Sequence, residues 1–428
     1  MNKLDKYFSI SERGSSLRTE MLAGVSTFLA LSYIFVVNPA ILSAMGVGKS
    51  AIFFATILGS VVTTLVMGLW ARLPFAVAPG LEMNAYVAYV VVGVMGFTWQ
   101  GALGAVFWSG VLTVLFSFSG IRVKIVNAIP DSLKVGLAAA VGIFLLLIAL
   151  KVSGIAVYDG IALKGIANLF SKPALIFYVG LFCALVLKRL HVRGSVLGSI
   201  IIATVFAHVI GAAPAGEAFS LGKDLFAATF KLDFGVIFNP KIWSVILVLF
   251  ILDFYGSIAK FIGLTKTTSI LQENELPRLK EGLIVDGGGT VLGALTGTSN
   301  LITYVESAVG IGEGGRTGIV AVVVAVLMSL FIFLTPLLAL IPAAATTGAL
   351  FFVGLSLFPS RKDVNGLFDK LAISAMVITT IVTFGLDKAM FAGFATYIIL
   401  NLIARKFNKL NVYFVGSAFV LMLSLVIS

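Results

Sequence analysis

The chain has 428 residues, 59% of them hydrophobic and 11% charged, whereas a soluble domain carries about a quarter charged residues. Its formal net charge is +11, with one cysteine and two histidines. This composition excludes a soluble fold and an intramolecular disulfide, argues against a metal centre, and makes the positive charge a property of membrane loops rather than a sign of nucleic acid binding.

In chain order, residues 1–18 read as a polar cytoplasmic tail without the apolar core of a cleaved signal peptide. Apolar segments follow at 20–37, 50–70, 74–92, 98–120, 133–150, 173–187, 194–210, 243–264, 281–297, 298–312, 318–336, 342–358, 371–386 and 389–404. Residues 50–70 and 98–120 hold no acidic or basic residue, and each is long enough to cross a hydrocarbon core of roughly 30 Å as a helix. A fifteenth apolar stretch, 412–427, is short for a span and stays unassigned. Residues 151–172 and 211–241 form two long outer loops.

Charge tests the count. With the N-terminus in the cytoplasm and the sides alternating, inner loops hold 21 of the 30 Lys and Arg residues, eight fall outside and Lys260 lies within a span. A missed helix would scramble this bias. The segments also repeat. The fourth and fifth join through Ala128-Ile129-Pro130, and the eleventh and twelfth through Leu340-Ile341-Pro342. The third and tenth are both short and interrupted, by Pro79-Gly80 and by Gly297-Thr298-Ser299-Asn300. They stand seven segments apart, and an odd offset inverts one half relative to the other. The expected fold is an all-α polytopic membrane protein with a 7+7 inverted repeat, whose binding site lies where the broken segments meet.

Five ionisable residues fall at membrane depth, where such groups are functional candidates by default: Glu82, Asp253, Lys260, Asp286 and Glu306. In segment three, proline biases 74–79 toward extended backbone. A half-helix beginning near Gly80 then directs its free amides inward, with Glu82 and Asn84 in its first turn. The plainer alternative is that Glu82 caps the half-helix and Asn84 satisfies backbone. Segment ten repeats the plan: 298–302 reads as extended, and a half-helix carries Thr303, Tyr304, Glu306 and Ser307. Two such stretches make a polar pocket suited to a planar molecule rich in donors and acceptors. In segment eight, Asp253, Gly256, Ser257 and Lys260 share one helical face. Lys260 either serves the site, neutralises Glu82 or Asp253 as a structural ion pair, or snorkels toward the cytoplasm. Asp286, followed by three glycines, fits helix packing with a buried hydrogen bond.

At these residues the sequence resembles the nucleobase-ascorbate (NCS2) permeases, in particular the AzgA-like purine branch. The likeness is carried by Arg18-Thr19-Glu20, Val37-Asn38-Pro39-Ala40-Ile41-Leu42, Ala78-Pro79-Gly80 with Asn84-Ala85, Asn127-Ala128-Ile129-Pro130, Pro277-Arg278-Leu279 and Gly297-Thr298-Ser299. Its most specific parts are Thr303-Tyr304-Val305-Glu306-Ser307 and Glu313-Gly314-Gly315-Arg316-Thr317-Gly318. The resemblance implies a core domain (19–120 and 241–336), a gate domain (121–240 and 337–405) and a C-terminal segment (406–428). It implies proton-coupled import of a purine base by an elevator-like movement and often as a homodimer; the short loops point to an inner (plasma) membrane. Asn84 and Glu306 would contact the base, in a substrate site that also takes in Glu82, Tyr255, Gly256, Ser299, Asn300 and Thr303. Coupling or tuning would fall to Glu82, Asp253, Lys260 and Glu306.

The departures are specific. Glu82 stands where the family has glycine, Gly256 where it has aspartate, Lys260 where it has a small polar residue, and Asn300-Leu301-Ile302 where it has a threonine run. One expectation is that Glu82 replaces the missing carboxylate with Lys260 tuning it; another is that Lys260 suits the site to an oxidised or anionic ligand such as xanthine or urate. The alternatives to purine import are a same-fold transporter or exchanger of another small polar or anionic metabolite, and a passive channel. No nucleophile-and-base pair, metal motif or cofactor signature supports an enzyme.

Overall fold

A computed structural model of the chain describes residues 3–119, 128–159, 162–167, 169–190, 192, 195–212, 223–266, 278–304, 306–334, 340–356, 358, 366–383 and 386–427. The expected segment ends at 120, 194 and 336, the motif residues Asn127, Pro277 and Val305, and the basic residues Arg122, Lys124, Arg193, Arg361 and Lys362 lie outside the described residues.

The fold is mostly helical. Helix α1 (Lys3–Phe8) leads into α2 (Leu17–Leu31), whose first turn is capped by Ser16 Oγ accepting from Thr19 N at 3.2 Å. A break at Ser32 and Tyr33 separates α2 from α3 (Ile34–Leu42). The first apolar run therefore extends over Leu17–Met45, beyond the expected end at 37, and carries Asn38 and Pro39 inside a helix. Helix α4 (Lys49–Val66) loosens into a π-type turn (Met67–Ala71) that ends at Arg72 in the left-handed region. Strand β1 (Val77–Pro79), α5 (Leu81–Ala85) with its π-type continuation Tyr86–Val92, and α6 (Trp99–Ser119) complete the first part. There follow α7 (Asp131–Val152), strands β2 (Ala156–Asp159) and β3 (Ala162–Ile166), α8 (Lys172–Arg189) and α9 (Ser195–Val209). The second half holds α10 (Ile242–Lys266), α11 (Leu279–Thr296), β4 (Leu301–Thr303), α12 (Ser307–Gly312) and α13 (Gly318–Leu330). It closes with α14 (Ala343–Ser356), α15 (Leu367–Thr383), α16 (Leu386–Ile403) and α17 (Val412–Ile427).

The helical fold also holds two antiparallel two-stranded sheets, β1 with β4, formed by the stretches expected to be extended before the two half-helices, and β2 with β3. The second is a hairpin in the loop after α7, where β-branched and aromatic residues leave the helical pattern. Among the described residues, Leu17–Met45, Lys49–Ala71, Trp99–Ser119 and Asp131–Val152 are long and apolar enough to cross a bilayer alone, and further apolar helices are shorter.

Helix contacts fall into two sets. In one, α6 packs along α11 and α10, α4 along α11, α13 and α3, and α2 along α13 and α12. In the other, α8 packs along α9 and α14, α7 along α14 and α15, and α15 along α16. Within the first set, α2 and α13 are tied at their starts. The buried Glu20 carboxylate accepts from Arg316 N at 2.9 Å, Thr317 N at 3.1 Å and Thr317 Oγ1 at 2.8 Å. Glu20 thus supplies acceptors to amides at the start of α13 that have no partner within the helix.

Small residues let α4 and α13 approach closely, as membrane helix interfaces require in the absence of a hydrophobic drive between helices. A Cβ placed at Gly68 would lie 2.6 Å from Gly318 O and 3.0 Å from Val322 Cγ2. Because backbone cannot move aside as a side-chain tip can, Gly68→Val is expected to cost about 1–3 kcal/mol or more by overpacking. The measurement is thermal unfolding of the detergent-purified protein; an unchanged midpoint would show that the contact is looser than it looks.

Candidate functional site

Strands β1 and β4 pair inside the protein with Val77 opposite Thr303, Ala78 opposite Ile302 and Pro79 opposite Leu301. Non-helical backbone at membrane depth is tolerated only where protein or a cavity satisfies it, so each outward-facing group of this ribbon needs a partner. On the β1 edge, Thr64 of α4 both accepts from Val77 N and donates to Val77 O, each at 3.0 Å. On the β4 edge, Asp286 Oδ1 of α11 accepts from Thr303 N at 2.7 Å and Thr303 Oγ1 at 2.9 Å, and Thr290 Oγ1 lies 3.3 Å from Leu301 O. At the ribbon ends, Gly80 N donates to Asn300 O at 3.0 Å, Tyr304 OH to Pro79 O at 2.6 Å, and Ala76 N to Ser307 Oγ at 3.0 Å.

The ribbon sets where two short helices start. Backbone turns from extended to helical at Gly80, the extended residue ahead of α5. A side chain there would press on Ile302 Cδ1 and Met83 Cε, both 2.7 Å from an added Cβ. Glu82 then falls in the first turn of α5, where the positive end of the helix favours a carboxylate. On the other side Glu306 directly precedes α12.

Between the ribbon and α3 lies a chain of neutral polar groups. Asn38 Nδ2 donates to Thr56 Oγ1 at 2.6 Å and to Thr298 Oγ1 at 2.9 Å. Asn84 Nδ2 donates to Asn38 Oδ1, and Ser299 Oγ donates to Asn84 Oδ1. All five residues are buried. Asn84 and Ser299, expected at the substrate, hold each other and α3 together. Asn300 is also buried, with Nδ2 3.5 Å from Ser109 Oγ and no partner for Oδ1 among the described residues.

The charged residues divide into two groups. Lys260 Nζ lies 3.4 Å from Glu82 Oε1, and the two side chains keep 19% and 17% exposure, so both border accessible space. At Gly256, one turn before Lys260, a side chain would meet nothing within 4 Å among the described residues. Glu306 Oε1 accepts from Tyr33 OH at 2.8 Å, and Lys260 and Glu82 act on Glu306 electrostatically. Glu82, Lys260, Glu306 and Tyr33 therefore form one interacting set. Asp253 and Asp286 instead are sealed in protein. Asp253 accepts from Thr290 Oγ1 at 2.7 Å and Ser257 Oγ at 3.2 Å, while Asp286 and Thr303 belong to the ribbon edge. Tyr255 lies on α10, and its side chain is not among those described.

Sequence reasoning did not name Tyr33, and it quoted Asn38 and Thr298 as motif residues without giving either a place in the site. Two of them carried a signal: Ser32-Tyr33 is a polar pair inside an apolar run, and Asn38-Pro39 is a polar residue beside a helix-interrupting proline.

The family model described as a permease family, Xan_ur_permease, matches residues 18–358. The chain belongs to this nucleobase-ascorbate (NCS2) permease family. A putative permease of Methanocaldococcus jannaschii, MJ0326, is 37% identical over 415 residues, covering 96% of this chain and 95% of that one. The adenine permease AdeQ of Escherichia coli is 33% identical, covering 99% of this chain and 96% of its own. The guanine/hypoxanthine permease PbuG of Bacillus subtilis is 32% identical, covering 91% of each. These relatives are permeases, not enzymes. Among solved structures, the transmembrane domain of the cyanobacterial bicarbonate transporter BicA matches with a TM-score of 0.68 at 18% identity, over 87% of this chain and 97% of that domain. Murine Slc26a9, an anion transporter, matches with a TM-score of 0.67 at 14% identity, over 91% of this chain and 69% of that one. The shared architecture is the inverted-repeat transporter fold, and the protein is a multi-pass membrane protein.

The ribbon generates a test of its own. Thr64→Val removes the only hydroxyl described at Val77 N and O. Leaving two buried backbone groups unmet is expected to destabilise the protein by about 2–4 kcal/mol, whereas Thr64→Ser stays close to the parent. Chemical denaturation in detergent measures both; equal midpoints for the two variants would refute the assignment.

Proposed function

We propose that this permease imports a purine base of the guanine, hypoxanthine or xanthine class by proton symport, in an inner (plasma) membrane with its N-terminus in the cytoplasm. In this reading the core (19–120 and 241–336) carries the substrate in an elevator-type movement against the gate (121–240 and 337–405), in a chain that works as a homodimer. The observation that carries it is the convergence of Glu82, Lys260 and Glu306 at the heads of the two short helices, one turn from Gly256. Relatives covering nearly the whole chain that are named adenine and guanine/hypoxanthine permeases supply the substrate class.

The chemistry fits. A purine edge offers ring and exocyclic N–H donors, and an ionised carboxylate is acceptor-only. Glu306, steadied by Tyr33, receives that edge. Glu82 is the proton acceptor: when it is protonated its attraction to Lys260 falls, and the ammonium turns toward the substrate.

In cells lacking their own permeases, labelled purine is expected to accumulate in an uncoupler-sensitive manner, with no uptake of uracil. Glu306→Gln should lower uptake about tenfold or more, the equivalent of one charge-assisted hydrogen bond. Glu82→Gln should leave uptake measurable but flatten its pH profile. Absence of uptake of any base, with the protein demonstrably in the membrane, would overturn the purine reading.

A second reading rests on Lys260, whose ammonium borders the accessible space. There it favours an oxidised or anionic ligand such as xanthine or urate. Lys260→Ala should then lower the ratio of xanthine to guanine uptake, and an unchanged ratio removes this reading.

A further inference from the structure

The segment that leads into α10 carries a pattern that the transport reading leaves unused. Phenylalanine recurs at every fourth position, at Phe226, Phe230, Phe234 and Phe238. Two positions along, Ala228, Leu232 and Val236 recur with the same spacing. The structure separates the two series. Ala228, Leu232 and Val236 are buried, whereas Phe226, Phe230, Phe234 and Phe238 keep 59%, 69%, 46% and 88% exposure.

The buried side of the segment is fastened to the helices that carry the ribbon. Phe230 N donates to Leu295 O of α11 at 2.8 Å, Asp233 N to Gln100 O of α6 at 3.0 Å, and Trp108 Nε1 of α6 to Phe234 O at 3.0 Å. Side chains placed at Gly297 and Gly104 would collide with Ala228 and Asp233, so the backbones pack directly. The segment therefore does not stand off from the bundle as a free loop. It reaches Trp108, about 13 Å along α6 from Trp99 at 1.5 Å per residue. Phe226 meets Phe54 edge-on at 4.6 Å, about 7 Å along α4 from Lys49. Irregular backbone can lie beside membrane helices at this level because those helices meet its polar groups. Phe230 adopts left-handed backbone, φ 53°, which is unfavourable for a bulky residue, and its ring is left facing away from the protein.

We propose that residues 226–243 form an interfacial belt that inserts Phe230 and Phe238 among phospholipid acyl chains, with Lys231 and Lys241 at the phosphates. In water the exposed rings would forfeit the gain of apolar burial; at the edge of the hydrocarbon layer they recover it. Aromatic rings gather at that boundary, and Trp243, 40% exposed, follows Lys241 at the start of α10. Charge selects phospholipid over a protein partner. Lys231 and Lys241 are exposed beside the rings, and lysine stems lie along apolar surface while their ammonium groups reach the polar layer. The carboxylate of Asp233 is turned back onto Gly235 N at 2.8 Å. The belt runs without a break into α10, which later carries Lys260, so its level in the boundary sets the level of that helix.

The test is electron paramagnetic resonance on the full-length protein in phosphatidylcholine–phosphatidylglycerol vesicles, without substrate. Cys183→Ala removes the one native cysteine, and Phe230→Cys and Phe238→Cys, made singly, each carry a nitroxide. Collision with oxygen, which partitions into acyl chains, is compared with collision with a water-soluble nickel chelate. Oxygen access is expected to exceed nickel access at both positions, at a depth of about 5–10 Å below the headgroups. Labels on Lys231→Cys and Lys241→Cys should show the reverse order. All four positions are exposed, so the labels replace no packed side chain. Nickel access exceeding oxygen access at Phe230 or Phe238 overturns the belt. Shielding from both reagents overturns it as well, and dipolar broadening there would assign the face to a second copy of the chain. Oxygen access exceeding nickel access at the lysines would overturn the phosphate contact. The readout needs no transport, so it stands or falls apart from the purine reading.

Discussion

The structure turns on a short antiparallel ribbon whose backbone must be satisfied where water cannot reach it. A helix satisfies its own amides; a three-residue strand does not. β1 and β4 satisfy each other on their shared edge, which leaves the outer edges to side chains. The partners come from separate places in the chain: Thr64 on α4, Asp286 and Thr290 on α11, Tyr304 just after β4, and Ser307 opening α12. An unmet backbone group costs about 1–3 kcal/mol, so these few hydrogen bonds restrict how α4 and α11 can sit against the ribbon. The starts of α5 and α12 follow from that placement, and so do Glu82 and Glu306.

Polar residues in this protein therefore do two kinds of work, and exposure tells them apart. Asn38, Asn84, Thr56, Thr298 and Ser299 are fully enclosed and hydrogen-bond one another. In a low dielectric such a network is strong when complete and costly when broken, which suits a fixed joint between α3, α5 and β4. Glu82 and Lys260 are paired at a longer distance and border accessible space. A pair of that kind can exchange its partner for a proton or a ligand without leaving a buried charge alone. Enclosed neutral groups, with the Glu20 and Asp286 carboxylates on backbone amides, hold the architecture, and the Glu82–Lys260 pair stands at the border of accessible space.

How much of this could be read from the sequence depends on the range of the signal. Family and fold were legible because they are written in long features: apolar runs, the bias of Lys and Arg, and stretches such as Arg18-Thr19-Glu20 and Gly315-Arg316-Thr317-Gly318. The structure joins those last two through the Glu20 carboxylate. The turn at Pro79-Gly80 was legible as local chemistry, since proline and glycine restrict the backbone whatever surrounds them. The hairpin β2–β3 was hidden in a loop with no strict alternation. The extent of the first helical run was misjudged because Asn38-Pro39 looks like an ending, and only the tertiary partners Thr56 and Thr298 show why an asparagine stands inside a buried helix. Segment eight shows the limit most clearly. Its helical spacing placed Asp253 and Lys260 on one face, but spacing alone could not show that Asp253 meets Thr290 of α11 while Lys260 meets Glu82 of α5.

That division within α10 ties the separate features into one argument. A single helix carries, two turns apart, a sealed carboxylate near the β4 edge and a mostly buried ammonium against the head of α5. The ribbon connects the same two places, because Leu301 of β4 pairs with Pro79 of β1 one residue before Gly80. Leu301, held by Thr290, is joined by strand pairing to Pro79 ahead of α5 and Glu82, and by the chain through Thr303 to Glu306. Glu82, Gly256 and Lys260 lie together at the accessible end, where the Glu82 and Lys260 side chains keep part of their surface exposed. The ribbon edge and its threonines lie at the other end, where the fold is held.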